Sequence, residues 1–227
     1  MRFLTKRAEV FIANTCLIKE RFMEGYTTVL GEGVFEYEDR KSVFIGTCVP
    51  VSKEEEALDF IAFIKKKYPD ARHHVYAYVL RENSIMRFSD DREPQGTAGM
   101  PVLDAIRKRG CTDTAVVVIR YFGGTLLGTG GLVRAYSAAA VGAIEMAKVI
   151  TYDIYSVMTL TASYSDYQRL SPIFEKLSFR VSDTAYSDSV TVTGKIVRDK
   201  RDELIKGVTE ATSDRVKIEI LEEIFDF

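Results

Sequence analysis

The first residues here with chemistry to offer are a histidine pair and a cluster of carboxylates. His73 and His74 precede the polar stretch SDDREPQGTAGMP, residues 89–101, which carries Asp90, Asp91 and Glu93 with Gly96 and Thr97 behind them. Carboxylates beside a histidine could hold a divalent cation or act as a general acid–base pair. No activated nucleophile accompanies them. Asp and Ser also belong in turns, where their side chains accept from nearby backbone N–H groups. A histidine opening a strand is more often a local hydrogen-bonding residue than a ligand, so no metal and no catalytic set is assigned.

The second constellation is RYFGGTLLGTGGLVRAY, residues 120–136, with five glycines between Gly123 and Gly131. Glycine at this density costs backbone entropy, so the geometry must require it. A Walker A loop would need lysine where Thr129 stands, and the dinucleotide fingerprint begun by Gly128 and Gly130 meets Val133 instead of glycine. Both readings fail. What survives is a strand leading through glycines into a helix start. Backbone N–H groups near Gly130 and Gly131 could point at one anion, with Arg120 and Arg134 adding charge. The residues equally allow the bland alternative, in which Gly123, Gly124 and Gly128 only serve turns and close packing. Tyr121 and Phe122 could stack on bases, or anchor the loop in the core.

These residues sit in a chain of 227, 46% of it hydrophobic, enough for one large domain or two small ones. The net charge is −2 and the pI about 5.9, so no global basic field announces nucleic acid, although a local groove is allowed. Cys16, Cys48 and Cys111 are odd in number and far apart, without metal-ligand spacing, which points to a reducing, cytoplasmic setting. No apolar run approaches the ~20 residues that span a membrane. Residues 1–25 show few turn signals and weak periodicity. They are expected to be an extension, disordered or upstream of a start at Met23.

From Tyr26 the pattern predicts a hairpin over TTVLGEGVFEYED and KSVFIGTCVPV. A helix should follow, opened by a capping box of Ser52 and Glu55, with Leu58, Ile61, Ile64 and Tyr68 inward. A second hairpin turns at Glu82, Asn83 and Ser84. Next come a short helix with Pro101 in its first turn and Gly110 at its end, the doubly buried strand TAVVVIRY, and an alanine-rich helix. Past Ile150 the order becomes β-α-β-β-α-β, the ferredoxin-like split motif, with Asp166 capping its first helix. The predicted class is α+β in two domains: residues 26–149 and 150–227.

Taken together, residues 89–106 and 120–136 closely resemble the YigZ/IMPACT family, with DARHHVYAY before them. The motif positions are His73, Asp90, Asp91, Glu93, Pro94, Gly96, Thr97, Gly99 and Pro101. In the second block they are Arg120, Tyr121, Phe122, Gly123, Gly124, Gly128, Gly130, Gly131 and Arg134. The resemblance implies an N-terminal domain like the second domain of a ribosomal small-subunit protein, with a left-handed βαβ crossover. It implies a C-terminal domain like a ferredoxin-like domain of elongation factor G. It names no reaction and no cofactor. In the eukaryotic relatives a starvation-responsive kinase is restrained by competition for its ribosome-associated activator; this chain is expected to lack their RWD domain and that partner. The expected partners are RNA, the ribosome or a translation factor, with an enzyme or nucleotide-binding protein, using both loops as one pocket, as the alternative. If the loops form one site, His73 or Asp91 should approach Arg120. A purely structural role for both loops in a protein-interaction module is the third reading.

Overall fold

The computed structural model describes residues 25–227, so the expected extension at residues 1–25 lies outside them except for Gly25. The described residues part into two units, Tyr26–Thr151 and Tyr152–Phe227. The class is α+β in two domains, as the sequence pattern predicts.

The first unit opens with β1 (Tyr26–Val29), β2 (Gly33–Asp39) and β3 (Ser42–Pro50), then α1 (Glu54–Lys67). β4 (His73–Val79), β5 (Met86–Ser89), α2 (Gly99–Lys108), β6 (Thr114–Tyr121) and α3 (Gly128–Met146) follow. Its sheet runs β2-β3-β6-β4-β5, with every neighbouring pair antiparallel. β6 lies at the centre and is covered on both sides. Val116 and Val118 face α2 and the alanines of α3, Ala135, Ala139, Ala140 and Ala143, whose small side chains suit close packing on the sheet. Ala115, Val117 and Ile119 face α1 through Ala57, Ile61 and Ile64. The near-continuous apolar run of this strand is the signature of such double burial.

The crossovers have a consequence for handedness. β3 and β4 are parallel, joined by α1 over one face, and β5 and β6 are parallel, joined by α2 over the other. Turning the sheet half a revolution about its normal superposes strand direction and direction of travel, but leaves the two helices on opposite faces. The two crossovers therefore have opposite hands. One of them must break the right-handed rule.

Local details depart from the sequence pattern at the helix starts. Ser52 does not form its capping box with Glu55. Its backbone N–H and hydroxyl both donate to Glu56, at 2.6 and 2.9 Å, one residue later. Leu58 faces outward, 51% exposed, and Ala57 fills the core beside Ile61 and Ile64.

The second unit is built of β7 (Val149–Ala162), whose first three residues belong to the first unit, α4 (Tyr164–Leu177), β8 (Arg180–Tyr186), β9 (Val190–Val197), α5 (Arg201–Thr212) and β10 (Lys217–Asp226). Its strands lie in the order β10-β7-β9-β8, all antiparallel, which is the ferredoxin-like 4-1-3-2 arrangement. Met158, Leu160, Leu170, Phe174, Val192 and Leu204 form its core. Asp166 is not the cap of α4. Ser163 is, accepting from the Asp166 N–H, while its own hydroxyl donates back to the Asp166 carboxylate at 2.9 Å. Asp166 also takes both arms of Arg215, at 2.7 and 3.1 Å.

Candidate functional site: the end of the first sheet

One end of the first sheet gathers both sequence motifs. Antiparallel register sets His73 at the start of β4, and Phe44 near the start of β3, opposite Arg120 near the end of β6. Arg120 falls on the α2–α3 face, where it is only 6% exposed. A guanidinium so buried needs a partner, and Glu93 supplies it: Arg120 Nη1 donates to Glu93 Oε1 at 2.6 Å. Tyr136 Oη donates to the same oxygen at 2.8 Å. Burial, reinforced by the Glu93 charge, pushes the Tyr136 hydroxyl above the usual tyrosine range. Phe44 meets Tyr136 edge-on at 5.1 Å, and His73 Nε2 lies 3.8 Å from the shared Glu93 oxygen. Among the described residues Arg120 Nε has no hydrogen-bond partner.

His73 does approach Arg120, as its direct partner across the strand pair, but the side-chain bond that holds the arginine comes from Glu93. The other carboxylates of the acidic loop are equally engaged. Asp90 accepts from the backbone N–H groups of Gly96, Ala98 and Gly99 at 2.9, 3.1 and 2.7 Å, closing the loop onto the start of α2. Asp91 accepts from the His74 N–H at 2.7 Å, while its own carbonyl takes a bond from His73 Nδ1 at 2.8 Å. Thr97 closes a turn onto the Pro94 carbonyl with both N–H and hydroxyl. Asp91 and Arg92 hold φ of 38° and 72°, a strained pair that these bonds keep in place. Among the described residues no group of three or more His, Cys, Asp or Glu is arranged to hold a metal ion.

The glycine loop is built differently. Gly124 and Gly128 take φ of 85° and 71°, which only glycine adopts without strain. Gly123 lies so close to the Lys41–Ser42 backbone that a Cβ would overlap it, and its N–H donates to Ser42 Oγ at 3.1 Å. Gly131 is buried against Leu127. Gly130 is the exception. It is exposed within the first turn of α3, and a Cβ there would meet nothing nearer than Arg134 Nη1, at 3.8 Å. Among the described residues no side chain caps this helix, and its first N–H groups have no side-chain acceptor there. The loop tip carries Phe122, 44% exposed, and Leu126, 81% exposed.

Arg120, expected to flank this loop as an anion ligand, is instead turned inward and neutralised by Glu93. Arg134 is at the surface. The β2–β3 turn supplies further charge that the sequence reading missed. Its central residues, Arg40 and Lys41, are both exposed at φ of 47° and 63°. Two-residue hairpins with this backbone normally use Asn and Gly. Here the turn docks on the glycine loop, and Arg40 Nη1 donates to the Leu126 carbonyl at 3.3 Å. The available signal was the two-residue spacing between the strands of β2 and β3, together with the basic residues in it.

Both halves of the chain match family models: residues 40–144 the Impact N-terminal domain, and residues 160–215 a domain of unknown function, DUF1949. The chain is 34% identical over 197 residues to the IMPACT family member YvyE of Bacillus subtilis (strain 168), covering 86% of this chain and 91% of that one. The chain belongs to the IMPACT family. It is also 37% identical over 139 residues to the IMPACT family member YigZ of Escherichia coli (strain K12), covering 60% of this chain and 67% of the relative. The crystal structure of a hypothetical protein is similar at 28% identity and a TM-score of 0.55, over 88% of this chain and 98% of that one. The acidic loop, the glycine loop and the β2–β3 turn residues Arg40 and Lys41 all fall inside the Impact N-terminal match.

Proposed function

We propose that this IMPACT-family protein is a cytosolic, non-catalytic component of translation control that binds RNA, free or in the ribosome, through the glycine loop of its first domain. The observation that carries the reading is the collection of exposed cations, Arg40, Lys41 and Arg134, around an uncapped helix start. Backbone donors at a helix N-terminus favour a phosphate oxygen, and side-chain cations steer it there. Gly124 and Gly128 turn that backbone, Gly123 seats it against Lys41 and Ser42, and Gly130 and Gly131 stand in the first turn of α3, Gly130 exposed and Gly131 buried. Arg120 acts as a positioning residue, joining the acidic loop, α3 and the root of the glycine loop. The ferredoxin-like second domain, which the resemblance relates to a domain of elongation factor G, is consistent with a setting in translation.

The alternative of an enzyme using both loops as one pocket draws little support from the geometry. Its three carboxylates are occupied by backbone N–H groups and by Arg120, so none of them is free to act as a base. The test of the RNA reading is a titration of labelled single-stranded RNA at two salt concentrations. Few phosphates can be neutralised by so local a patch on a net-acidic chain, so binding should weaken with salt along a shallow slope. Arg134→Ala should weaken all sequences alike, since phosphate contacts carry no base information. No binding at low salt, or binding indifferent to both salt and Arg134, would discard the reading.

A further inference from the structure

Phe122 is an apolar ring held at the surface, on the glycine loop whose flanks carry Arg40, Lys41 and Arg134. Arg120 Cζ lies 5.6 Å from its ring centre and 5.4 Å from that of Phe44, so one guanidinium contacts both rings. That guanidinium is fixed by Glu93, and Glu93 by Tyr136. Phe122 thus rests on a buried, hydrogen-bonded cation and stays 44% exposed. An aromatic ring needs no such mounting to fill a core. The neighbouring Tyr121, on the opposite face of the strand, instead donates its hydroxyl to Asp70 at 3.0 Å.

We infer that Phe122 is a stacking platform for an unpaired base, and that the glycine-loop patch selects single-stranded over double-stranded RNA. The inference rests on the reading of the loop as an RNA site and adds the class of RNA it takes. A base has a π-face whatever its sequence, so a ring flanked by phosphate-binding cations captures any unpaired nucleotide. In a duplex the same faces are stacked inside the helix and cannot reach Phe122. Arg40 lies on one side of the loop through its bond to the Leu126 carbonyl, and Arg134 follows the glycines on α3. Those positions suit phosphates flanking a stacked base. Leu126, 81% exposed, belongs to the same loop and adds apolar surface to it.

The chain contains no tryptophan, which gives a direct probe. In Phe122→Trp the new indole is the sole tryptophan, and an unpaired base stacked on it should quench its fluorescence. The full-length variant is titrated with a single-stranded oligoribonucleotide and with the same sequence as a duplex. Wild type and Phe122→Ala are compared by anisotropy of labelled RNA, with folding checked by circular dichroism. The expected result is quenching by the single strand only, an affinity loss of about tenfold in Phe122→Ala, and an unchanged salt slope in that variant. Arg134→Ala should lower the slope by about one instead. Wild-type binding that tolerates Phe122→Ala, or that takes duplex equally well, would overturn the stacking inference while leaving the RNA reading intact. Absence of any RNA binding by wild type would overturn both. Anionic phospholipid vesicles are run in parallel with a Leu126→Trp variant. A blue shift with vesicles, in the absence of RNA binding, would assign the patch to a membrane surface and overturn the inference.

Discussion

The acidic loop and the glycine loop meet at one sheet end, yet they treat their polar groups in opposite ways. In the acidic loop every motif carboxylate is turned inward: Asp90 onto three backbone N–H groups, Asp91 onto β4, Glu93 onto Arg120 and Tyr136. In the glycine loop the helix start is uncapped, and the cations around it, Arg40 and Arg134, face solvent. A run of acidic residues is the more suggestive of chemistry in a sequence, but here it is the scaffold. The loop with almost no functional side chains is the one left open to solvent, and it carries the proposed RNA site.

The largest effect should come from breaking the scaffold at its centre. Glu93→Ala leaves the Arg120 guanidinium buried without its counter-charge, and should cost about 3–5 kcal/mol in urea unfolding. Near-wild-type stability would mean that the acidic loop is not what holds this sheet end together. Asp90→Ala is the next step down. Three N–H groups lose one acceptor, and the expected loss is about 1–2 kcal/mol, in the range of a helix cap. If Asp90 instead served a ligand, stability would stay constant and binding would fall.

A carboxylate outside the loop sharpens the comparison. Arg215, and then Ser163, hold the Asp166 carboxyl down at about 2, below its ordinary 3.8. Its folded-state value is depressed, so the stabilisation is complete above pH ~4 and is lost as pH falls toward 2. Asp166→Asn should remove that part of the acid sensitivity, read by thermal unfolding between pH 5 and pH 2. An unaltered acid limb would show that the pair contributes nothing in solution.

The smallest effect belongs to the open loop. Gly130→Ala should leave stability unchanged or raise it by up to about 1 kcal/mol, since alanine favours a helix and the site is empty. A clear destabilisation would show a packing demand at Gly130 and return that position to the scaffold.

Much of the fold was legible because its signals are local. The double burial of β6 showed in TAVVVI, and the βαββαβ order of the second domain showed in alternating periodicity. What escaped was long-range. Whether Ser52 pairs with Glu55 or Glu56 depends on which face of α1 the sheet accepts, and capping chemistry cannot decide that. Arg120 looked like a ligand because an arginine ending a strand is usually exposed, and only the register opposite His73 and Phe44 reveals it turned inward. Tyr136 carried a usable hint: a hydroxyl on the alanine-lined face of α3 must find a buried acceptor. Arg40 and Lys41 lie more than 80 residues from the loop they dock on, and no short-range pattern connects them.

The contrast between the loops is tested most directly by mapping where single-stranded RNA, the proposed partner, crosslinks to the protein. Single-stranded RNA carrying 4-thiouridine is crosslinked to the full-length chain at low salt, and the modified peptides are identified by mass spectrometry. The account predicts crosslinks in residues 120–134 and around Arg40 and Lys41, and none in residues 89–99. Crosslinks concentrated in the acidic loop or in the second domain would contradict it.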